Sequence, residues 1–155
     1  MEQSPFMIKE YVRWSDVDKA GIIFYGAYVR FFEMAETELF RAAGAPYGEV
    51  FDRYDIWLPR VHLDCDFMYP TRLDDHLGVA AYFTKFGTSS LHLNFDVIHL
   101  PTQILAATGR EVLVCSDRKA MKSRPLPEDL VLLFRPFLMD VETARQGLGI
   151  IERQR

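Results

Sequence analysis

The chain has 155 residues, of which 49% are hydrophobic and 26% charged, enough for one domain with a sizeable core and unlike a disordered chain. Its 18 Lys and Arg against 22 Asp and Glu leave a net charge of −4, which speaks against a general nucleic-acid binder. No apolar run reaches the roughly 18–20 residues of a membrane span, the first residues lack the apolar core of a signal peptide, and Cys65 and Cys115 make no disulfide framework, so a cytoplasmic protein with reduced thiols is expected.

Residues 6–14 combine aromatic and β-branched side chains and predict a strand. Residues 15–21 are a polar loop with two carboxylates and a glycine. A helix follows, because Tyr28, Phe31, Phe32, Ala35, Leu39 and Ala42 fall on one stripe, with Arg30, Glu33, Thr37 and Arg41 opposite. Gly44 and Pro46 stop it, and residues 46–54 can form a short second helix. The pattern then changes to period two. Val61, Leu63, Cys65 and Phe67 alternate with His62, Asp64, Asp66 and Met68, the pattern of a half-buried strand. Residues 77–86, 91–98 and 103–115 predict three more strands, the last with Gly109 as a candidate bulge. Residues 130–139 predict a helix, and residues 142–155 are polar and expected to be weakly held. One helix must bury its stripe against a sheet made by all the strands, and the exposed edges of such a sheet favour pairing with a second copy, so a homodimer is expected.

The loop before the first helix holds the most chemistry. A carboxylate at that place commonly caps a helix. Free N–H groups at a helix start can also bind a developing oxyanion, and a carboxylate beside them can act as base or nucleophile on the polarised carbonyl. Glu33 lies on the polar face of the helix, whereas Glu36 flanks the apolar stripe, where it can approach a pocket. His62, Asp64 and Asp66 share a strand face, but same-face residues on one strand rarely converge on one ion, so no metal site is expected. Gly87-Thr88-Ser89-Ser90-Leu91 lacks the last glycine of a serine-hydrolase elbow, and no phosphate-binding G-x-x-x-x-G-K-[ST] occurs. Cys65 and Cys115 read as buried structural thiols.

Residues 13–41, RWSDVDKAGIIFYGAYVRFFEMAETELFR, resemble the signature of hotdog-fold acyl-CoA thioesterases of the 4-hydroxybenzoyl-CoA thioesterase family. Residues 66–75 (DFMYPTRLDD), 87–90 (GTSS) and 117–127 (DRKAMKSRPLP) are similar to further stretches of that family, in the same order. The resemblance implies an α+β hotdog fold over residues 1–140, about five antiparallel strands around one long central helix, followed by a tail at 141–155. It implies hydrolysis of an aromatic or short-chain acyl-CoA to free acid and coenzyme A, with no cofactor beyond the coenzyme carried by the substrate. Asp18 would be base or nucleophile, the Tyr25 amide would polarise the carbonyl, and Asp16 would hold the loop. Phe24, Tyr25, Tyr28, Phe32 and Trp57 would line the acyl pocket. Lys85, Thr88, Ser89 and Lys122 would meet the coenzyme, Lys122 within a basic cluster of Arg118, Lys119 and Arg124. A homodimer or homotetramer is implied, with no nucleic-acid partner. Three positions depart from the family pattern: Glu36 stands where Arg is common, position 24 is Phe, and position 25 is Tyr rather than His. A hotdog dehydratase would need a catalytic His in the loop, where none stands; a non-catalytic acyl-thioester-binding module would bind without turnover.

Overall fold

The structure, a computed structural model, describes residues 4–151; residues 1–3 of the expected domain and 152–155 of the expected tail lie outside them. In chain order the elements are β1 (Phe6–Tyr11), α1 (Ala27–Ala42), α2 (Tyr47–Tyr54), β2 (Ile56–Trp57), β3 (Arg60–Phe67), β4 (His76–Phe86), β5 (Ser90–His99), β6 (Ile104–Val114), β7 (Ser116–Asp117), α3 (Glu128–Phe134) and α4 (Val141–Leu148). The main sheet is antiparallel, in the order β1-β4-β5-β6-β3, while β2 pairs with β7 in a small second sheet that the sequence pattern does not announce. This is an α+β hotdog architecture.

Helix α1 lies on one face of the main sheet. Phe31, Phe32, Ala35 and Leu39 are buried as the stripe predicts, but the buried face is wider, taking in Glu36 and Phe40. Ala43 rather than Ala42 turns inward at the end. Gly44 then takes a φ of +84°, which a side chain would resist, and the helix stops there. Phe32 stacks on Phe95 of β5 with ring centroids 4.8 Å apart. Gly109 of β6 is not a bulge: it pairs in register with Cys65 and Phe95. Its missing side chain has another cause, since a Cβ there would strike the Phe32 ring. Phe40 packs against Phe134 of α3, which also meets Phe83 of β4 and closes the far end of the core. Helix α3 starts earlier than the pattern predicts, after Pro127, and ends early because Pro136 shifts the chain into a short 3-10 turn.

The other sheet face is covered too, which corrects the expectation of a weakly held C-terminal segment. Asn94 and Asp96 of β5 are 3% and 0% exposed. Helix α4 lies over them, so residues 141–148 are an ordered helix rather than a loose polar tail. Asp140 caps it by accepting from the Thr143 N–H at 2.8 Å. Ala144 packs with Tyr82 and Met139. Arg145 donates to Asp96 at 3.1 Å, and Asp96 also accepts from the Tyr82 hydroxyl at 2.6 Å and the Thr108 hydroxyl at 3.0 Å.

Strand β3 is likewise not half-buried. Val61, Leu63 and Phe67 are 61%, 46% and 55% exposed. β3 ends the sheet, and its outer edge pairs with nothing among the described residues.

Candidate active site

The loop between β1 and α1 is pinned by Asp16, which is 1% exposed. Its carboxylate accepts from the Arg13 N–H at 2.8 Å and pairs with the Arg30 guanidinium, while its carbonyl accepts from the Phe24 N–H at 3.0 Å. Arg30 stands on α1, so this carboxylate ties the loop to the helix. Asp18 is exposed. Its Oδ1 accepts from the Ala20 N–H at 2.7 Å, and its own N–H donates to the Ile22 carbonyl at 2.9 Å. Gly21 closes that turn with a φ of +79°. At the start of α1 the Ala27 and Tyr28 N–H groups bond back to the Phe24 and Tyr25 carbonyls. Those of Tyr25 and Gly26 donate to no protein acceptor among the described residues.

Two cavities lie between α1 and β3. The first, about 330 Å³, is lined by Ile22, Tyr25, Tyr28, Phe67 and Thr71. The Tyr28 and Phe67 rings are 5.4 Å apart, and the Tyr28 hydroxyl lies 3.4 Å from the Thr71 hydroxyl. Burial raises the Tyr28 phenol above its ordinary pKa.

The second cavity, about 540 Å³, has apolar walls of Val29, Phe32, Phe51 and Leu63. Its floor is polar. Arg60 donates from Nε to Glu111 at 3.0 Å, from one terminal nitrogen to the Leu58 carbonyl at 3.2 Å, and from the other to the Tyr47 hydroxyl at 2.8 Å and to Glu36. The Tyr47 hydroxyl donates to Glu36. Glu36 is 2% and Glu111 7% exposed. Burial, reinforced by neighbouring Glu36 and opposed by Arg60, pushes the Glu111 carboxyl up to about 8. Burial and the same carboxylate raise the Tyr47 phenol.

The residues expected from the sequence fall in several places. Tyr25 and Tyr28 line the first cavity, while Asp18 stands in the turn before it and Phe24 packs over Gly26, neither of them among the residues lining that cavity. Phe32 lines the second cavity, and Trp57 stands one ring behind it, 5.5 Å from Phe51. Trp57 is covered instead by the Arg118 guanidinium at 4.5 Å. Lys85 and Thr88 share a third, separate groove of about 970 Å³ with Arg135, Glu128 and Asp140. The Ser89 carbonyl accepts from the Cys115 N–H at 2.7 Å. Lys122 is exposed on the loop after β7, a loop organised by Asp117, which accepts from the Lys122 N–H at 3.0 Å. The basic cluster is partly spent: Arg118 holds Asp52 at 2.6 Å and Arg124 the Asp55 carbonyl at 3.2 Å. Among the described residues no cluster of His, Cys, Asp and Glu is arranged to hold a metal. His62 sits 2.7 Å from Asp64, which also pairs with Arg110. Burial pushes the Cys65 thiol up to about 11 and raises that of Cys115, so neither is a ready thiolate. The floor of Glu36, Arg60, Glu111 and Tyr47 is the constellation that sequence reasoning missed, apart from the position of Glu36 beside the apolar stripe.

A family model described as the thioesterase-like superfamily matches residues 12–134. The chain is 29% identical over 130 residues to the acyl-CoA thioester hydrolase YbgC of Escherichia coli O6:H1, covering 80% of this chain and 91% of that protein. It is 25% identical over 126 residues to the 1,4-dihydroxy-2-naphthoyl-CoA hydrolase of Synechococcus elongatus, covering 81% and 91%. Among solved structures it is similar to the 1,4-dihydroxy-2-naphthoyl-CoA thioesterase Slr0204 from Synechocystis, with a TM-score of 0.78 at 20% identity over 85% of this chain and 96% of that one. It is similar also to the BH1999 gentisyl-coenzyme A thioesterase, with a TM-score of 0.70 at 25% identity over 83% and 98%.

Proposed function

Because this chain belongs to the thioesterase-like superfamily and is a thioester hydrolase of hotdog fold, we propose that it hydrolyses an aromatic or short-chain acyl-CoA at the start of α1, with Asp18 as base or nucleophile. The observation that carries this reading is the pairing of two features within one short loop. Asp18 presents an exposed carboxylate in the turn that its own N–H closes onto the Ile22 carbonyl, and the next turn leaves the Tyr25 and Gly26 N–H groups without a protein acceptor among the described residues. Those N–H groups, at the positive end of the α1 dipole, would take the thioester oxygen as negative charge develops on it. As base, Asp18 accepts a proton from water while the water oxygen bonds to the carbonyl carbon. The tetrahedral intermediate then expels the coenzyme thiolate as the C–S bond breaks. Tyr28 and Phe67 offer an apolar seat for the acyl group beside that carbon. The named relatives act on acyl-CoA, 1,4-dihydroxy-2-naphthoyl-CoA and gentisyl-CoA, which supports an aromatic acyl group. Lys85, Thr88, Ser89 and Lys122 are proposed for the coenzyme. The unpaired outer edge of β3, with Val61, Leu63 and Phe67 exposed, supports a homodimer through β3, with a tetramer of two such dimers as the larger form.

The test is thiol release from a panel of aromatic, short and long acyl-CoAs by the wild type and Asp18→Asn. The variant should fold and lose about 10²–10⁴ in kcat. Near wild-type kcat in the variant would remove Asp18 from the chemistry. Binding without release from any ester would favour the acyl-binding module instead. Sedimentation of Leu63→Lys should show a shift toward monomer.

A further inference from the structure

The Tyr25 and Gly26 N–H groups are free at a place where a chain commonly closes them off. Ser, Thr, Asp or Asn usually caps a helix start, but Gly26 precedes α1 without a side chain, and the first turn of α1 carries no acidic residue. A carboxylate nonetheless stands beside them. The Asp16 carbonyl accepts from the Phe24 N–H at 3.0 Å, which sets the Asp16 backbone against the residue just before the two free groups. Asp16 is 1% exposed, and a carboxylate taken out of water needs the donors around it. Its side chain is engaged elsewhere, by the Arg13 N–H at 2.8 Å and by the Arg30 guanidinium.

Arg30 explains that choice. It is the fourth residue of α1, and its own neighbours hold its guanidinium on the helix: it lies 4.8 Å from the centroid of the Phe31 ring and donates to the Met34 Sδ at 3.3 Å. Among the described residues it pairs with no other carboxylate. A hydrogen bond between two charged groups is stronger than one from a neutral N–H to the same oxygen. With Arg30 removed, Asp16 keeps the Arg13 N–H, and the unused donors at its side are those of Tyr25 and Gly26. The freed carboxylate then becomes the missing helix cap. It occupies the two N–H groups and sets a negative charge where the thioester oxygen develops one.

We propose that Arg30 is a positioning residue for the reaction: by drawing the Asp16 carboxylate to the side of α1, it keeps the Tyr25 and Gly26 N–H groups open to the thioester oxygen. This rests on the thioesterase reading above for the identity of that oxygen. Arg30 lines neither cavity beside α1 and acts through Asp16.

The first measurement is amide hydrogen exchange at Tyr25 and Gly26, which needs no substrate. In Arg30→Met both amides should exchange about tenfold more slowly than in the wild type, because the freed carboxylate caps them, whereas a loop merely loosened by the substitution exchanges faster. The second is turnover of the acyl-CoA that the wild type cleaves best. Loss of one oxyanion donor costs about 10²–10³ in kcat, and Arg30→Met should approach that loss. Its Kd for the matching thioether, in which a CH2 group replaces the carbonyl, should stay within about threefold of the wild-type value, since that ligand has no oxygen for the N–H groups to hold. Arg30→Lys, which keeps the charge, should recover most of the kcat. Unchanged or faster exchange in folded Arg30→Met overturns the proposal. So does a kcat within about twofold of wild type, a thioether Kd that weakens in step with kcat, or no recovery in Arg30→Lys. If Arg30→Met does not fold, Arg30→Gln, which keeps a donor without the charge, takes its place in each comparison. Absence of thiol release by the wild type from every ester defeats the thioesterase reading, while the exchange rates still uphold or defeat the hold of Arg30 on Asp16.

Discussion

Each face of the main sheet buries carboxylates against an arginine, and the two faces do so differently. On the α4 face Asp96 is 0% exposed and takes hydrogen bonds from Tyr82, Thr108 and Arg145. One negative group meets one positive group, and the helix closes over them. On the α1 face Glu36 and Glu111 share Arg60 at the bottom of an open cavity, and burial holds the Glu111 carboxyl at about 8. A balanced, covered network fastens a helix. An acid-rich one facing a void keeps capacity to bond something else.

Variants can break or sharpen that contrast. Phe32→Ala should cost most, about 3–5 kcal/mol, since it deletes the ring that joins α1 to β5 and leaves a hole beside Gly109. Urea unfolding at pH 7 measures it, and a loss under 1 kcal/mol would mean that α1 is held elsewhere. Arg145→Ala should cost about 2–4 kcal/mol, because it strands Asp96 without its countercharge, the guanidinium being about one-third exposed. Its kcat should stay within twofold of wild type, and a large fall in kcat with little change in stability would join the two faces functionally. Glu111→Gln should act chiefly on pH dependence. The folded carboxyl holds its proton to about 8, whereas an ordinary Glu releases it near 4.5. Between these values the native state binds more proton than the unfolded chain, so wild-type stability is full at low pH, falls as pH rises through this window, and levels above about 8. The Gln variant should lose that slope in Tm measured from pH 5 to 8. Smallest of all, Arg110→Ala removes a solvent-exposed partner of Asp64 and should leave Tm unchanged within error.

How much of this was legible in the sequence differs between the faces. The α1 stripe announces itself through its 3.6-residue period, and the paired Asp16 and Asp18 before it announce a loop with chemistry. The period-two pattern of β5 does not reveal that Asn94 and Asp96 are buried, because it says which residues share a face and not what lies over it. The cover, Arg145, arrives 49 residues after Asp96 and has no local signature. β3 failed in the opposite sense: its apolar residues alternate like those of a covered strand, yet among the described residues no element pairs with its outer edge. The floor of the second cavity was hidden for a topological reason. Glu36, Arg60 and Glu111 come from a helix and two strands, and only the β3–β6 pairing, which sets Arg60 beside Leu113 and Leu63 beside Glu111, brings them together.

Gly109 acts as a gauge in this molecule. The Phe32 ring rests where its side chain would be, so the clearance between helix and sheet is set by bare backbone at one point of contact. Even a methyl group there would meet that ring at 2.5 Å, so the ring, or the helix that carries it, would have to give way. The width of the second cavity, which Phe32 lines, is thereby coupled to residue 109, where a single added carbon is felt through one ring.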